Sequence, residues 1–284
     1  MTRRSVAVLA VCGLALLSAR VAEATGRLES GLRGRLLARL DVAATMIVVV
    51  AIAAAARPFV AAYLDRRNRP SYAAHVRAWL VPMYALWIPI VVVNEAMVGP
   101  GSGPRRLLLT TVLFRDPRSA HPVPGLGIGT VLFVVATAVL VLPAIGRVAA
   151  ELFTGLDGRT AMLRLSGVLV VAGIVVRAIL VTVGATEPFG ALSWLPAHLD
   201  SFGAALAIVT LHESGWFAAR RSAIRLAWLV AVTAFAAAAV VAGLPRALLV
   251  TDGRDIQVRA VLYVVIAAAL MSIITSTLTT RRAA

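Results

Sequence analysis

No lysine occurs in the 284 residues; all 28 basic side chains are arginine. Cysteine is nearly absent too. Cys12 stands alone inside an apolar run, so an intrachain disulfide is excluded and the thiol reads as a small packed hydrophobe. Charged residues make up only 14% of the chain, against roughly a quarter in a soluble domain. That is too little polar surface for a fold facing water on all sides, and no polar stretch is long enough to form a separate soluble unit. No set of Cys, His and carboxylates has metal-ligand spacing, and the expectation is no metal. Gly125-Leu126-Gly127-Ile128-Gly129 lacks both the preceding strand and the spacing of a nucleotide loop.

What is present is hydrocarbon. Hydrophobic residues reach 60% and the mean hydropathy is +0.90, values that fit a surface turned toward lipid tails. The net charge of +15 would suit a nucleic-acid binder. However, the arginines sit in short clusters between apolar runs, without interleaved aromatics or a nucleic-acid module. The positive-inside rule and anionic headgroups account for them, and no nucleic-acid partner is expected. Arginine without lysine, beside Ala, Val and Leu, is the pattern of coding bias in a GC-rich bacterial genome.

A span needs ~20 mostly apolar residues. The first candidate runs from Ser5 to Val21. Its alternative is a signal peptide cleaved near Ala22-Glu23-Ala24, but the apolar segments that follow favour an uncleaved helix. The second covers Val42 to Ala56 and continues past Arg57 to Tyr63, with Asp41 and Arg57 expected at opposite interfaces. The third covers Ala78 to Val98, and Pro82 or Pro89 should kink it. Leu107 to Phe114 is too short to cross and reads as interfacial or re-entrant. Spans four to eight cover Gly125 to Ile145, Leu163 to Val183, Leu199 to Leu211, Leu226 to Leu244, and Val258 to Thr279. The expected fold is therefore all-α, a single polytopic domain over residues 1–284 with about eight membrane helices. Arg3, Arg4, Arg66, Arg67, Arg69, Arg77, Arg147, Arg159, Arg164, Arg220, Arg221, Arg225, Arg281 and Arg282 all fall inside if both termini are cytoplasmic. The loop from Ala185 to Ala197 carries no basic residue and fits outside. The expected location is a bacterial inner membrane.

Four blocks in order carry a resemblance. They are Arg57-Pro58-Phe59 through Asp65 with Arg69-Pro70-Ser71; Pro82-Met83-Tyr84; Pro124-Gly125-Leu126 through Leu142-Pro143; and Leu195-Pro196-Ala197-His198-Leu199-Asp200-Ser201-Phe202. Together they resemble membrane acyltransferase family 3, over about residues 36 to 212. The family O-acylates sugars or lipids of the cell envelope, so the resemblance implies that activity, with acyl-CoA as a possible donor and no bound cofactor. The departures are as informative. No histidine precedes His75, so the family's first-helix base has no occupant. Its Trp-Ser falls on Thr130-Val131, its glutamate on Val135, and its Ser-Gly-Phe on Ala51-Ile52-Ala53. The arginine before its Pro-x-Tyr becomes Trp79, the arginine of its sixth-helix block becomes His198, and its closing segment is missing.

Acyl transfer needs a base near neutral pKa and donors for the oxyanion. His75 and His121 read as solvated loop residues. His198, with Asp200 two residues on, sits at the outer mouth of the sixth helix, as a weak catalytic candidate or an interfacial cap. His212 and Glu213 read as a local interfacial pair. Arg177 lies deep in an apolar helix, where a charge costs roughly 2.5–3.5 kcal/mol and must face a partner or a polar cavity. Glu95, His198 and Asp200 are its candidate partners. Arg177, His198 and Asp200 are thus the substrate-binding candidates. The sequence favours a catalytically degenerate member serving as a partner or lipid/glycan-binding subunit in envelope assembly, with the bilayer and possible membrane subunits as partners. An active O-acyltransferase using His198 is the alternative; a small transporter or flippase, resting on Arg177, is the third.

Overall fold

The structure is a computed structural model, and it describes residues 11, 12, 14, 42–65, 70–98, 126–182, 195–219, 222–241 and 253–280. All the regular elements among them are helical, and no strand occurs among the described residues. The elements are α1 (Val42–Leu64), α2 (Tyr72–Val98), α3 (Leu126–Val141), a 3₁₀ turn (Leu142–Ala144) and α4 (Ile145–Leu152). There follow α5 (Gly158–Thr182), a second 3₁₀ turn (Leu195–His198), α6 (Leu199–Glu213), α7 (Trp216–Ala219), α8 (Ser222–Val241) and α9 (Gly253–Thr280). Three helical stretches are long and apolar enough to cross a membrane: residues 42–64, 131–152 and 158–180. Two shorter apolar stretches, 225–238 and 260–273, follow.

The run Ile47-Val48-Val49-Val50 would suit a strand in water, because β-branched side chains pack well on a pleated surface. Where no water reaches, each backbone N–H and C=O must be satisfied inside its own segment, and the helix wins. The alanines around Ile52 then let α1 serve as the central helix. Val49, Ile52, Ala55, Ala56 and Val60 are fully buried, and α1 packs on α3, α6 and α9. Pro58 lies inside α1 without ending it, and α2 likewise runs through Pro82 and Pro89.

Three expectations are corrected. Span four does not stop at Ile145. Pro143 removes one N–H and tightens the chain into the 3₁₀ turn, after which α4 carries on to Leu152. Arg147 and Glu151, both exposed, form an i,i+4 pair at 3.7 Å along α4. Helix α2 starts six residues before Ala78, at Tyr72. In consequence His75 is not a solvated loop residue: it is 7% exposed and meets the ring of Phe59 edge-on, centroids 4.6 Å apart at 85°. The imidazole supplies an aromatic body to the α1–α2 contact, which outweighs its hydration. Of the first span only residues 11, 12 and 14 are described; Leu107 to Phe114 and His121 lie outside the described residues.

Helices α5 and α6 make the closest pairing, and two glycines permit it. A Cβ on Gly173 would stand 2.3 Å from the backbone nitrogen of Asp200, and one on Gly203 would stand 2.5 Å from the carbonyl oxygen of Ser166. The two backbones therefore touch where small residues face each other. The opposite face of α5 presents Val168, Val171, Val175 and Ile179, all exposed, as a stripe at three- and four-residue spacing suited to lipid. At the other end of the helix Asp157 caps α5, its Oδ2 accepting the Thr160 N–H at 3.1 Å.

Gly173→Ala is expected to lower the thermal stability of the detergent-solubilised protein by about 1–3 kcal/mol, the usual cost of overpacking. Gly167→Ala, whose Cβ would meet nothing within 4 Å, should instead be neutral or gain about 0.5–1 kcal/mol. Asp157 yields a pH test. Its hydrogen bonds from the Thr160 side chain and then the Thr160 backbone hold the carboxyl below its ordinary value of 3.8. A lowered pKa means that stabilisation is complete above the ordinary value and is lost as pH falls through the lowered one. Amide protection at Gly158 to Ala161, corrected for intrinsic exchange, should fall below pH 3.8 in the native chain and not in Asp157→Asn, whose amide caps without titrating.

Candidate functional site

The α5–α6 crossing determines where the deep arginine goes. Arg177 lies one turn beyond Gly173 on the same face of α5, and Asp200 lies one turn before Gly203 on α6. Where the backbones touch, the two side chains meet. Arg177 Nη2 donates to Asp200 Oδ2 and to the carbonyl oxygen of Ala197 at 2.7 Å. Asp200 Oδ1 accepts the backbone N–H of Ser201 at 2.7 Å. The side chains of Arg177 and Asp200 are 5% and 1% exposed. Of the three partners expected for Arg177, Asp200 is found; the side chain of Glu95 lies outside the described residues.

His198 ends the 3₁₀ turn and occupies the position before α6, with φ −114° and ψ 12°. It is half-buried at the helix mouth. A histidine acting as general base is ordinarily oriented by a carboxylate bonded to its other nitrogen. Asp200 is not disposed for that task, because one of its oxygens goes to Arg177 and the other to Ser201. Nor does Asp200 sit as an interfacial helix cap; it is a buried counter-ion. Arg177 Nη1 is buried and has no hydrogen-bond partner among the described residues. That nitrogen is a strong donor still able to take an acceptor.

A second polar cluster closes α6 at its other end. Arg57 Nε donates to Glu213 Oε1 at 2.6 Å, and His212 Nε2 stands 3.8 Å from the same oxygen. The sequence reading treated Arg57 as an interfacial bracket and His212–Glu213 as a local pair, and so missed this tie across 156 positions. One signal could have found it: an arginine inside an apolar helix calls for a carboxylate at the same depth. Among the described residues no three His, Cys, Asp or Glu side chains converge as a metal site would require.

Five of the positions where the acyltransferase likeness would set polar machinery are apolar, and the side chain of Thr130 lies outside the described residues. Ala51, Ile52, Ala53, Val131 and Val135 all belong to one buried apolar cluster, with Phe202, Ala205 and Leu206 of α6. No hydroxyl or carboxylate stands at these places to hold an oxyanion or take a proton.

Removing one member of the buried pair leaves the other charge uncompensated, at a cost of about 3–5 kcal/mol. Arg177→Met alone and Asp200→Leu alone should each lower folded yield and thermal stability by that order. The double variant should recover most of the loss, as read by thermal unfolding in detergent.

No family model, curated protein or solved structure matches this chain.

Proposed function

We propose that this chain is a polytopic inner-membrane protein of about eight spans with cytoplasmic termini, resembling acyltransferase family 3 without its catalysis. It serves as a partner or lipid- and glycan-binding subunit in cell-envelope assembly. One observation carries the reading. The bundle interior at Ala51 to Ala53, Val131 and Val135 is packed with apolar side chains at the places where the resemblance calls for groups that bind and activate. Oxyanion stabilisation depends on fixed donors aimed at developing charge, and methyl groups supply none. Asp200, two residues on from His198, is engaged by Arg177 and does not serve as its orienting carboxylate. What remains polar at the outer mouth is a donor: Arg177 Nη1, suited to an acceptor oxygen of a lipid headgroup or a sugar.

The test is acyl transfer by the purified chain in proteoliposomes, with acyl-CoA and an envelope lipid or glycan fraction as acceptor. Free CoA release should stay at the level of protein-free vesicles, and a crosslinked membrane partner should be recovered from native membranes in mild detergent. Acyl transfer that needs only this chain would overturn the proposal.

A further inference from the structure

Arg57 is the charge whose surroundings the proposed function leaves unused. It sits inside α1, seven residues before the helix ends at Leu64, which is about 10 Å at 1.5 Å per residue. On either side of it Ala56 and Phe59 face the bundle and are buried, while Pro58 is exposed. The Arg57 side chain itself remains 42% exposed. Its Nε edge is fixed by Glu213 at 2.6 Å, and among the described residues the two Nη groups make no hydrogen bond. The guanidinium is therefore tied to Glu213 along its Nε edge, while the side chain as a whole stays accessible to an acceptor. At that depth acyl chains are a poor neighbour for it. Arginine stems reach toward the headgroup layer from such positions, and phosphate oxygens are the anionic acceptors found there.

We infer that Arg57 and Glu213 build a binding point for a phosphate group at the cytoplasmic face, with Arg57 Nη1 and Nη2 as the donors. The planar fork matches two phosphate oxygens at once, a geometry that an ammonium does not offer. Glu213 positions the fork and spends only its Nε edge. The phosphate can come from an inner-leaflet phospholipid or from a soluble phosphate ester, since both present the same oxygens.

The experiment uses the full chain in detergent, titrated with phosphatidylglycerol or phosphatidylcholine, with bound lipid counted by native mass spectrometry and inorganic pyrophosphate as the soluble competitor. Arg57→Gln should weaken the tightest-bound phospholipid about tenfold, the effect of losing a charge-assisted contact. Arg57→Lys, which keeps the charge but not the fork, should fall between Arg57→Gln and the native chain. Arg147→Gln removes an equal charge from an exposed side chain and should leave the tightest site intact. Displacement of the lipid by pyrophosphate identifies a soluble ester as the natural ligand; retention identifies a headgroup. Equal weakening by Arg147→Gln, or binding by Arg57→Gln that matches the native chain, would overturn the inference, because bulk charge or water alone would then satisfy the arginine.

Discussion

A charge in hydrocarbon must find its counter-charge within the protein, and the bundle is arranged around that requirement. Helix α6 is the clearest case. It has 15 residues, about 22 Å of helix at 1.5 Å per residue, and so falls short of a hydrocarbon core of about 30 Å. The polar groups at the ends of a helix this short must then be met by its neighbours. Both ends of α6 meet the problem in the same way. Asp200 pairs with Arg177 of α5 at one end, and Glu213 pairs with Arg57 of α1 at the other. The helix is thereby pinned along its length, by charge at its ends and by backbone contact between.

The backbone contact explains why the outer pair is closed rather than open. With Gly173 and Gly203 removing the side chains that would separate α5 from α6, no room remains for solvent between Arg177 and Asp200. Ser166 and Thr210, also buried, return their hydroxyls to the Met162 and Leu206 carbonyls of their own helices. These two hydroxyls of the seam are thus turned inward to protein, while α5 leaves its valine stripe exposed on the other side. One helix has a packed face and an exposed apolar one.

Hydropathy made the helices legible because lipid imposes a single local rule on all of them. The second span was expected from Val42 to Tyr63 and is observed from Val42 to Leu64. Arg177 was legible for the same reason: a lone charge in an apolar run announces that a partner exists, and Asp200 was among the three candidates for it. The crossing itself was not legible. A single glycine in a helix looks alike whether it meets a backbone, as Gly173 does, or open space, as Gly167 does. His75 was misplaced because a polar residue beside a basic link reads as solvated, and the Phe59 ring that covers it lies on another helix. The Arg57–Glu213 tie depends on how α1 and α6 rotate against each other, which periodicity does not encode in helices apolar on nearly all faces.

The same logic bears on which groups the interior of such a bundle can hold. A polar active site inside a membrane bundle persists only while each group in it is matched or hydrated. Once a base is lost, its former partners become unpaired polar groups in a low-dielectric interior, and apolar replacements relieve that cost. Val131, Val135 and the Ala51–Ala53 stretch are buried and belong to one apolar cluster with Phe202, Ala205 and Leu206 of α6. The charged pairs stand at the two ends of that helix instead, where Arg177 meets Asp200 and Arg57 meets Glu213. The apolar middle of α6 keeps those two polar ends a fixed distance apart.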